Sequence, residues 1–242
     1  MKQLVYDLPM RLFHWLFAGL FLFAFLIAKN IDDESITFIY HMLAGLSIGF
    51  IVILRLVWGF IGTKQSKFVD FDLNPMNLLS YMKGILTGDK QRWAGHNPAS
   101  SWAGIIMMFL GLGLAVTGYL MTSGDKEAFE DIHEIFANTF LIVIIMHVVG
   151  IIVHTIRHKE MIGLSMITGQ KEGIASSDVI NSSRWQVGIL FLALFLSFNF
   201  YISKNLNLET KTLTFFGKTL QLGEHEGHEH GNATESHDSD ND

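Results

Sequence analysis

Four histidines lie inside long apolar segments or at their mouths, where an ionisable side chain is costly and usually functional. His133 and His147 stand in EDIHEIFANTFLIVIIMHVVG, His41 opens YHMLAG, and His14 lies in RLFHW. The 14 residues between His133 and His147 make about 3.9 helical turns, so both rings share one helix face about 21 Å apart. Each of these imidazoles could ligate a metal centre together with an imidazole from a facing helix.

The segments around these histidines predict membrane-spanning helices. Half of the 242 residues are hydrophobic, 20 are Phe and only 3 are Pro. The apolar residues are gathered in five blocks, most of them of a length that crosses a bilayer: 12–28, 38–61, 102–121, 135–156 and 187–202. The first block is too long for a signal peptide and lacks a cleavage site, so we expect a retained helix.

Charge and composition limit the remaining choices. The chain has no Cys, which excludes disulfides, thiolate metal sites and c-type haem attachment. Basic residues concentrate in segments 1–11, 62–100 and 157–185, whereas 30–36 and 122–132 are acidic. The positive-inside rule therefore predicts a cytoplasmic N-terminus and, after five crossings, a periplasmic C-terminus. The net charge of −6 comes largely from the outer loops and the tail and does not indicate nucleic-acid binding.

Sorted by depth, the four histidines form two pairs. His41 and His133 lie near the outer face, and His14 and His147 lie towards the inner face. Two imidazoles from facing helices are the axial ligands of a bis-histidine haem. Zinc usually needs a third or fourth donor, and no Cys, Asp or Glu lies near enough in the spans.

Further residues near the pairs could accommodate a haem. Gly45 and Gly49 follow His41 at i+4 and i+8 and would let a large ring approach the backbone. Arg11 and Arg55 are candidate partners for haem propionates, since a guanidinium pairs a carboxylate in a fork. Taken alone, the two glycines could form a small-residue contact between helices, and the two arginines could be positive-inside anchors. The haem interpretation is favoured because the four histidines form two pairs, each at its own depth in the membrane.

The chain also resembles the prokaryotic cytochrome b561 family, grouped with the b-type cytochrome subunits of nickel–iron hydrogenases. The similarity spans roughly residues 5–172 and lies in four stretches: YDLPMRLFHW (6–15), HMLAGLSIGFIVILRLVWGFIG (41–62), GHNPAS (95–100) and EDIHEIFANTFLIVIIMHVVGIIVHTIRHKEMIGLSMITGQK (130–171). The resemblance implies an all-α integral membrane protein with a four-helix transmembrane bundle. It also implies two b haems ligated from the first, second and fourth helices.

The resemblance further implies electron transfer with a quinone in the membrane of a bacterial respiratory chain. We expect the quinone near the inner haem at GHNPAS, with His96 and Asn97 as candidate contacts; the alternative is that Asn97 and Ser100 simply cap a helix. His154, seven residues after His147, could replace it as a ligand, but the family pattern favours His147. His158 is expected to bind nothing.

The acidic outer loops would suit a basic periplasmic partner such as a c-type cytochrome, although a solvated loop explains the same charges. Three roles in electron transfer stay open: a quinol–cytochrome shuttle, which the b561-like stretches favour; the membrane anchor of a hydrogenase or similar oxidoreductase; and a quinone-linked superoxide oxidase. A proton or metal transporter is the alternative without haem, but no Asp or Glu lies inside a span and no inverted repeat is visible.

The sequence divides into three parts. Residues 1–172 form the predicted di-haem core, 173–204 a linker and fifth transmembrane helix, and 205–242 a periplasmic segment. Within the last part, TKTLTFFGKTLQLG alternates enough to predict a strand or hairpin. The tail from 223 onward, GEHEGHEHGNATESHDSDND, is rich in acids and His and is predicted to be disordered. Weak binding of zinc, copper or nickel by its histidines is the alternative.

Overall fold

The computed structural model describes residues 2–88, 93 and 95–223, and five helices within them are long and apolar enough to cross a membrane. We number the helices along the chain: α1 (Leu8–Asn30), α2 (Ile39–Ile61), α3 (Pro75–Thr87), α4 (Pro98–Thr122), α5 (Lys126–His158), α6 (Ser165–Thr168) and α7 (Trp185–Lys204). A 3-10 turn at Ile36–Phe38 extends α2. The prediction of an all-α membrane protein with five spans is confirmed.

Three helices begin with the same local device, an Asp or Asn cap followed by a proline. The side chains of Asp7, Asn74 and Asn97 accept backbone N–H bonds at the starts of α1, α3 and α4. Proline fits the first turn because its missing N–H would have no partner there. The cap at Asn74 starts α3. This helix lies in the basic segment 62–100 and was not predicted, although Asn74, Pro75 and Gly88 are start and stop signals.

The helices α1, α2, α4 and α5 surround an aromatic interior, and α7 packs against α1 and α2. Buried members of the core come from all five long helices; they include Phe13, Phe17, Phe21, Ile51, Leu110, Phe140 and Phe191. α4 packs closely on α5, because Gly113 lies where an added Cβ would be 2.4 Å from the Phe136 ring. On α5 only Phe140 is buried among the described residues.

α5 is longer than the apolar block predicted. It starts at Lys126, nine residues before the block, and so includes the acidic stretch around His133. Acidic residues near a helix N-terminus are stabilised by the positive end of the helix dipole, which extends the helix beyond its apolar part. His133 is thus held on a helix rather than on a loop, about two turns after the start of α5.

Two small antiparallel sheets close opposite ends of the bundle. At the end where α1 starts, β1 (Lys2–Leu4) pairs with β2 (Gln170–Glu172) and ties the N-terminal segment to the MITGQK stretch. At the other end, β3 (Leu206–Asn207), β4 (Thr212–Phe215) and β5 (Lys218–Gln221) form one sheet, so the predicted hairpin is confirmed. Its Leu213 and Leu220 pack with Ile39 and Ile202. The His-rich tail from 224 lies outside the described residues.

Candidate functional site

The structure brings His41 and His133 together at the end of the bundle near the β3–β5 sheet. Their ring centroids are 6.1 Å apart and the ring planes are inclined by 69°. A metal shared by two facing imidazoles at a metal–nitrogen distance of about 2.0–2.1 Å separates the centroids by about 6 Å. The observed separation therefore matches two imidazoles that share one metal centre.

Both rings of this pair have a hydrogen-bond partner at Nδ1. The His41 Nδ1 lies 2.9 Å from the carbonyl oxygen of Ala24, which can only accept. The His133 Nδ1 lies 2.8 Å from the Thr117 hydroxyl. Histidine ligands usually donate their second ring N–H to such an oxygen, which fixes the tautomer and leaves Nε2 for the metal. Neither partner could be found from the histidine pattern, because both lie on other helices.

His14 and His147 form the second pair, towards the opposite end of the bundle. His14 lies two turns into α1, and the two imidazoles are close enough for their charges to interact. Both side chains are half-buried. The structure thus places His41 beside His133 and His14 within electrostatic range of His147, and the role of the four histidines as haem ligands stays a prediction.

An aromatic cluster separates the two levels. Phe140 lies seven residues from His133 and seven from His147, about 10.5 Å along the axis from each. It is 1% exposed and stacks on Phe21 with a centroid distance of 4.1 Å, and it meets Phe17 edge-on at 5.5 Å. These packed rings therefore lie about midway along α5 between His133 and His147.

Arg55 is buried at the His14–His147 end with part of its hydrogen-bonding capacity unused. It is 1% exposed and packs over the Phe68 ring at 4.9 Å. Its Nη2 donates to the Ser66 carbonyl at 2.9 Å, whereas Nε and Nη1 have no partner among the described residues. An unpaired buried guanidinium donor is costly unless an acceptor binds it. This position fits a haem carboxylate.

Arg11, the other candidate for a propionate, connects α1 to the chain around α6. Its Nη2 donates to the Ile167 carbonyl, and its Nε has no partner in the described part of the chain. Trp15 makes a parallel link, since its Nε1 donates to the Met166 carbonyl at 3.0 Å. The RLFHW and MITG stretches of the sequence are thus neighbours in space, and they hold the start of α1 beside the His14–His147 level.

His96 lies near the second pair. It packs against Phe71 at 4.6 Å and Tyr6 at 5.8 Å between centroids. Burial, followed by the positive charges of Lys171 and Arg55, lowers the pKa of His96 to about 3, so its ring is neutral at neutral pH. A neutral imidazole both donates and accepts a hydrogen bond.

Asn97, the second residue of the candidate quinone site, has a structural role at both ends of its amide. Its Oδ1 accepts from the Ser100 backbone N–H at 2.8 Å as the cap of α4, and its Nδ2 donates to the Tyr81 hydroxyl at 3.0 Å. These are the contacts that the capping alternative predicts. Binding of a quinone at this place therefore depends mainly on His96, and it stays a prediction.

His154 and His158 lie at the far end of α5, beyond the second pair. Their rings stack on each other at 4.2 Å. His154 also lines a surface cavity of about 400 Å³ together with Trp93 and Lys171. Within residues 2–88, 93 and 95–223, no group of three or more His, Cys, Asp or Glu side chains is arranged to hold a metal ion.

These features define the class of protein: a multi-pass α-helical membrane protein whose interior holds imidazole pairs at two levels. The family model of prokaryotic cytochrome b561 matches residues 5–169, more than half of the chain, and the protein belongs to that family. It is thus a b-type haem cytochrome of the membrane that functions in electron transfer. The search of curated proteins and the search of solved structures gave no match.

The matched range contains all four histidines and ends before α7 and the β3–β5 sheet. The residues of this chain fit a haem. At one level, the Nε2 atoms of two neighbouring imidazoles have no hydrogen-bond partner among the described residues, and near the other lies a buried arginine with donors unpaired in the same part of the chain. Asp7, Thr117 and the Ala24 carbonyl were missed by sequence reasoning. Only Asp7 carried a signal, as the cap before the Leu8–Pro9 start of α1.

Proposed function

We propose that the protein carries electrons across the cytoplasmic membrane through two b haems, between the quinone pool and a periplasmic redox partner. The observation that carries this proposal is the pair of imidazole levels separated by the Phe140 cluster. His41 and His133 hold one haem, and His14 and His147 hold the other. Each bound haem supplies an iron that takes up and releases one electron.

The protein side chains bind, orient and insulate the two sites. The Nδ1–H bonds of His41 and His133 direct their Nε2 atoms into the bundle. The guanidinium groups of Arg55 and Arg11 bind propionates at the other level. The apolar rings around Phe140 exclude water between the levels, so charge has to pass from one site to the other inside the protein.

His96 is the proposed contact for a quinone head group. Its neutral ring can donate to a quinone carbonyl and accept from a quinol hydroxyl, and it lies within electrostatic range of His14 and His147. We expect His96→Leu to slow haem reduction by a soluble quinol analogue while leaving the haem content unchanged. His158→Leu is the matched control on the same side of the protein. Equal rates in both variants would remove His96 from the proposal.

The periplasmic partner is proposed to be a basic c-type cytochrome. Seven carboxylates are exposed in the acidic stretches 30–36 and 122–132, the second of which includes the start of α5: Asp32, Asp33, Glu34, Asp125, Glu127, Glu130 and Asp131. Their attraction for a basic protein speeds encounter and weakens with salt. Electron transfer to a basic c-type cytochrome should therefore slow as ionic strength rises, and a rate independent of salt would contradict the assignment.

The first experiment counts haem per chain in detergent-purified protein by the pyridine haemochrome and the dithionite-reduced spectrum. We expect about two b haems in the wild type, about one in His133→Ala and in His147→Ala, and none in the double variant. His154→Ala is the control and should keep two. Loss of haem from His154→Ala instead of His147→Ala would reassign the ligand, and a wild type without haem would overturn the two-haem function.

The proposed orientation can be tested directly because the chain has no cysteine. Ser123, in the α4–α5 connection, and Ser176, before α7, are both exposed. In intact cells, an impermeant maleimide should label Ser123→Cys and should label Ser176→Cys only after the membrane is opened. The reverse pattern would place the His41–His133 level at the cytoplasmic face.

A further inference from the structure

Thr117 is a buried hydroxyl in the last part of α4, 5% exposed. Its Oγ1 lies 2.8 Å from the Gly113 carbonyl oxygen and 3.2 Å from that of Leu114, one turn back on the same helix. A hydroxyl has one hydrogen and two lone pairs, so once it donates to one of these carbonyls it can only accept from a further partner. The lone pairs of Oγ1 are left to accept.

The Nδ1 of His133 lies 2.8 Å from Oγ1. With the hydroxyl hydrogen directed to an α4 carbonyl, we assign the proton of this contact to Nδ1, which leaves Nε2 unprotonated. The ring lies directly beside α4 here, because a Cβ added to Gly118 would come 3.5 Å from His133 Cε1. A chain of two hydrogen bonds thus runs from the α4 backbone through Thr117 to the imidazole.

We propose that Thr117 is a positioning residue for the His133 ligand and lowers the reduction potential of the haem at that level. Hydrogen bonding at Nδ1–H fixes the ring orientation and makes the ligating nitrogen more basic. A more basic ligand stabilises the ferric over the ferrous iron, and such second-shell bonds are one of the means by which proteins set haem potentials. This inference rests on the proposed function, in which His133 ligates haem.

The test compares three single variants of the full chain by redox titration of the haem bands. Thr117→Val removes the hydroxyl at nearly constant volume, and Thr117→Ser keeps the hydroxyl. Thr122→Val is the matched control, because the Thr122 hydroxyl donates to the Tyr119 carbonyl at 2.8 Å on the same helix and contacts no histidine in the described part of the chain. Thr117→Ala is a second deletion of the hydroxyl if the valine variant does not assemble.

We expect Thr117→Val to move one of the two midpoint potentials upward and leave the other unchanged. Thr117→Ser and Thr122→Val should keep both wild-type values. In the His147→Ala background, where the His41–His133 haem alone remains, the single midpoint should show the same upward shift. The low-spin ferric electron paramagnetic resonance signal of that haem should change with it.

Two kinds of failure are distinguishable. If the wild type holds two haems but Thr117→Val leaves both midpoints unmoved, the role of Thr117 is wrong and the proposed function stands. A shift equally large in Thr117→Ser would also overturn the inference, since packing and not the hydroxyl would then be responsible. If His133→Ala keeps both haems, the ligand assignment itself fails.

Discussion

At the scale of single residues, Asp7 connects the start of α1 to the end of α2. It is fully buried, and its Oδ1 accepts from the Met10 backbone N–H at 2.9 Å. Its Oδ2 accepts from Trp58 Nε1 at 3.0 Å, Thr63 Oγ1 at 2.6 Å and Ser66 Oγ at 2.9 Å. A buried carboxylate persists only when its acceptor sites are filled in this way. It holds the surroundings of Arg55 in place.

Asp7→Ala should therefore destabilise the protein strongly. It leaves four donors without their acceptor and the buried Arg55 charge without a nearby carboxylate, which costs about 3–5 kcal/mol of unfolding free energy. Asp7→Asn keeps a capping oxygen and should cost less. The measurement is thermal unfolding in detergent. Asp72→Ala serves as the control, since Asp72 accepts from Asn77 at the surface. Similar losses for Asp7→Ala and Asp72→Ala would contradict the buried network.

At the scale of helices, the two glycines after His41 have different roles. A Cβ added to Gly49 would lie 2.8 Å from the Ala115 Cβ, so Gly49 allows α2 and α4 to approach closely. A Cβ added to Gly45 would meet no described atom within 4 Å. The small-residue contact considered for both glycines therefore applies to Gly49, whereas Gly45 borders open space, and the use of that space by a haem stays a prediction.

A pair of alanine substitutions separates these roles. Gly49→Ala overpacks the α2–α4 contact and should cost about 1–3 kcal/mol of stability. Gly45→Ala should not lower the stability of the protein prepared without haem, because alanine favours a helix over glycine. It should instead reduce haem content at the His41–His133 level. Thermal unfolding and haem counts on both variants are the measurement, and equal stability losses would contradict the distinction.

At the scale of the whole molecule, charge is distributed unequally between the two imidazole levels. Arg11, Arg55 and Lys171 lie at the His14–His147 end, where β1 pairs with β2. The exposed carboxylates of the two acidic stretches lie at the His41–His133 end. Nearby positive charge favours the reduced iron, and nearby negative charge favours the oxidised one, so the two proposed haems should differ in potential.

We expect the His14–His147 haem to have the higher midpoint potential. Arg55→Gln should lower that potential by an amount on the order of 1 kcal/mol per electron, the size of a partly screened charge interaction. Arg184→Gln, at an exposed arginine before α7, is the matched control and should change neither value. Redox titration of single-haem variants assigns each potential, and the opposite order would refute the charge argument.

The five spans, the hairpin and the spacing of the histidines could be predicted from the amino-acid sequence. A backbone in lipid must satisfy its own hydrogen bonds, so the length and apolarity of a segment alone specify a spanning helix. Depth along each span then ordered His14, His41, His133 and His147 into levels. The start of α5 could not be read from the apolar block, because acidic residues favoured by the helix dipole extend the helix beyond that block.

The contacts between side chains of different helices depend instead on how the helices pack. The Thr117 hydroxyl reaches His133, the Asp7 carboxylate reaches Trp58 and Thr63, and Phe140 stacks on Phe21 between the levels. These contacts join residues that are distant in the chain, and local periodicity carries no information about which side chains face each other after packing. The helices follow from local chemistry, whereas the surroundings of each imidazole follow from how the helices pack.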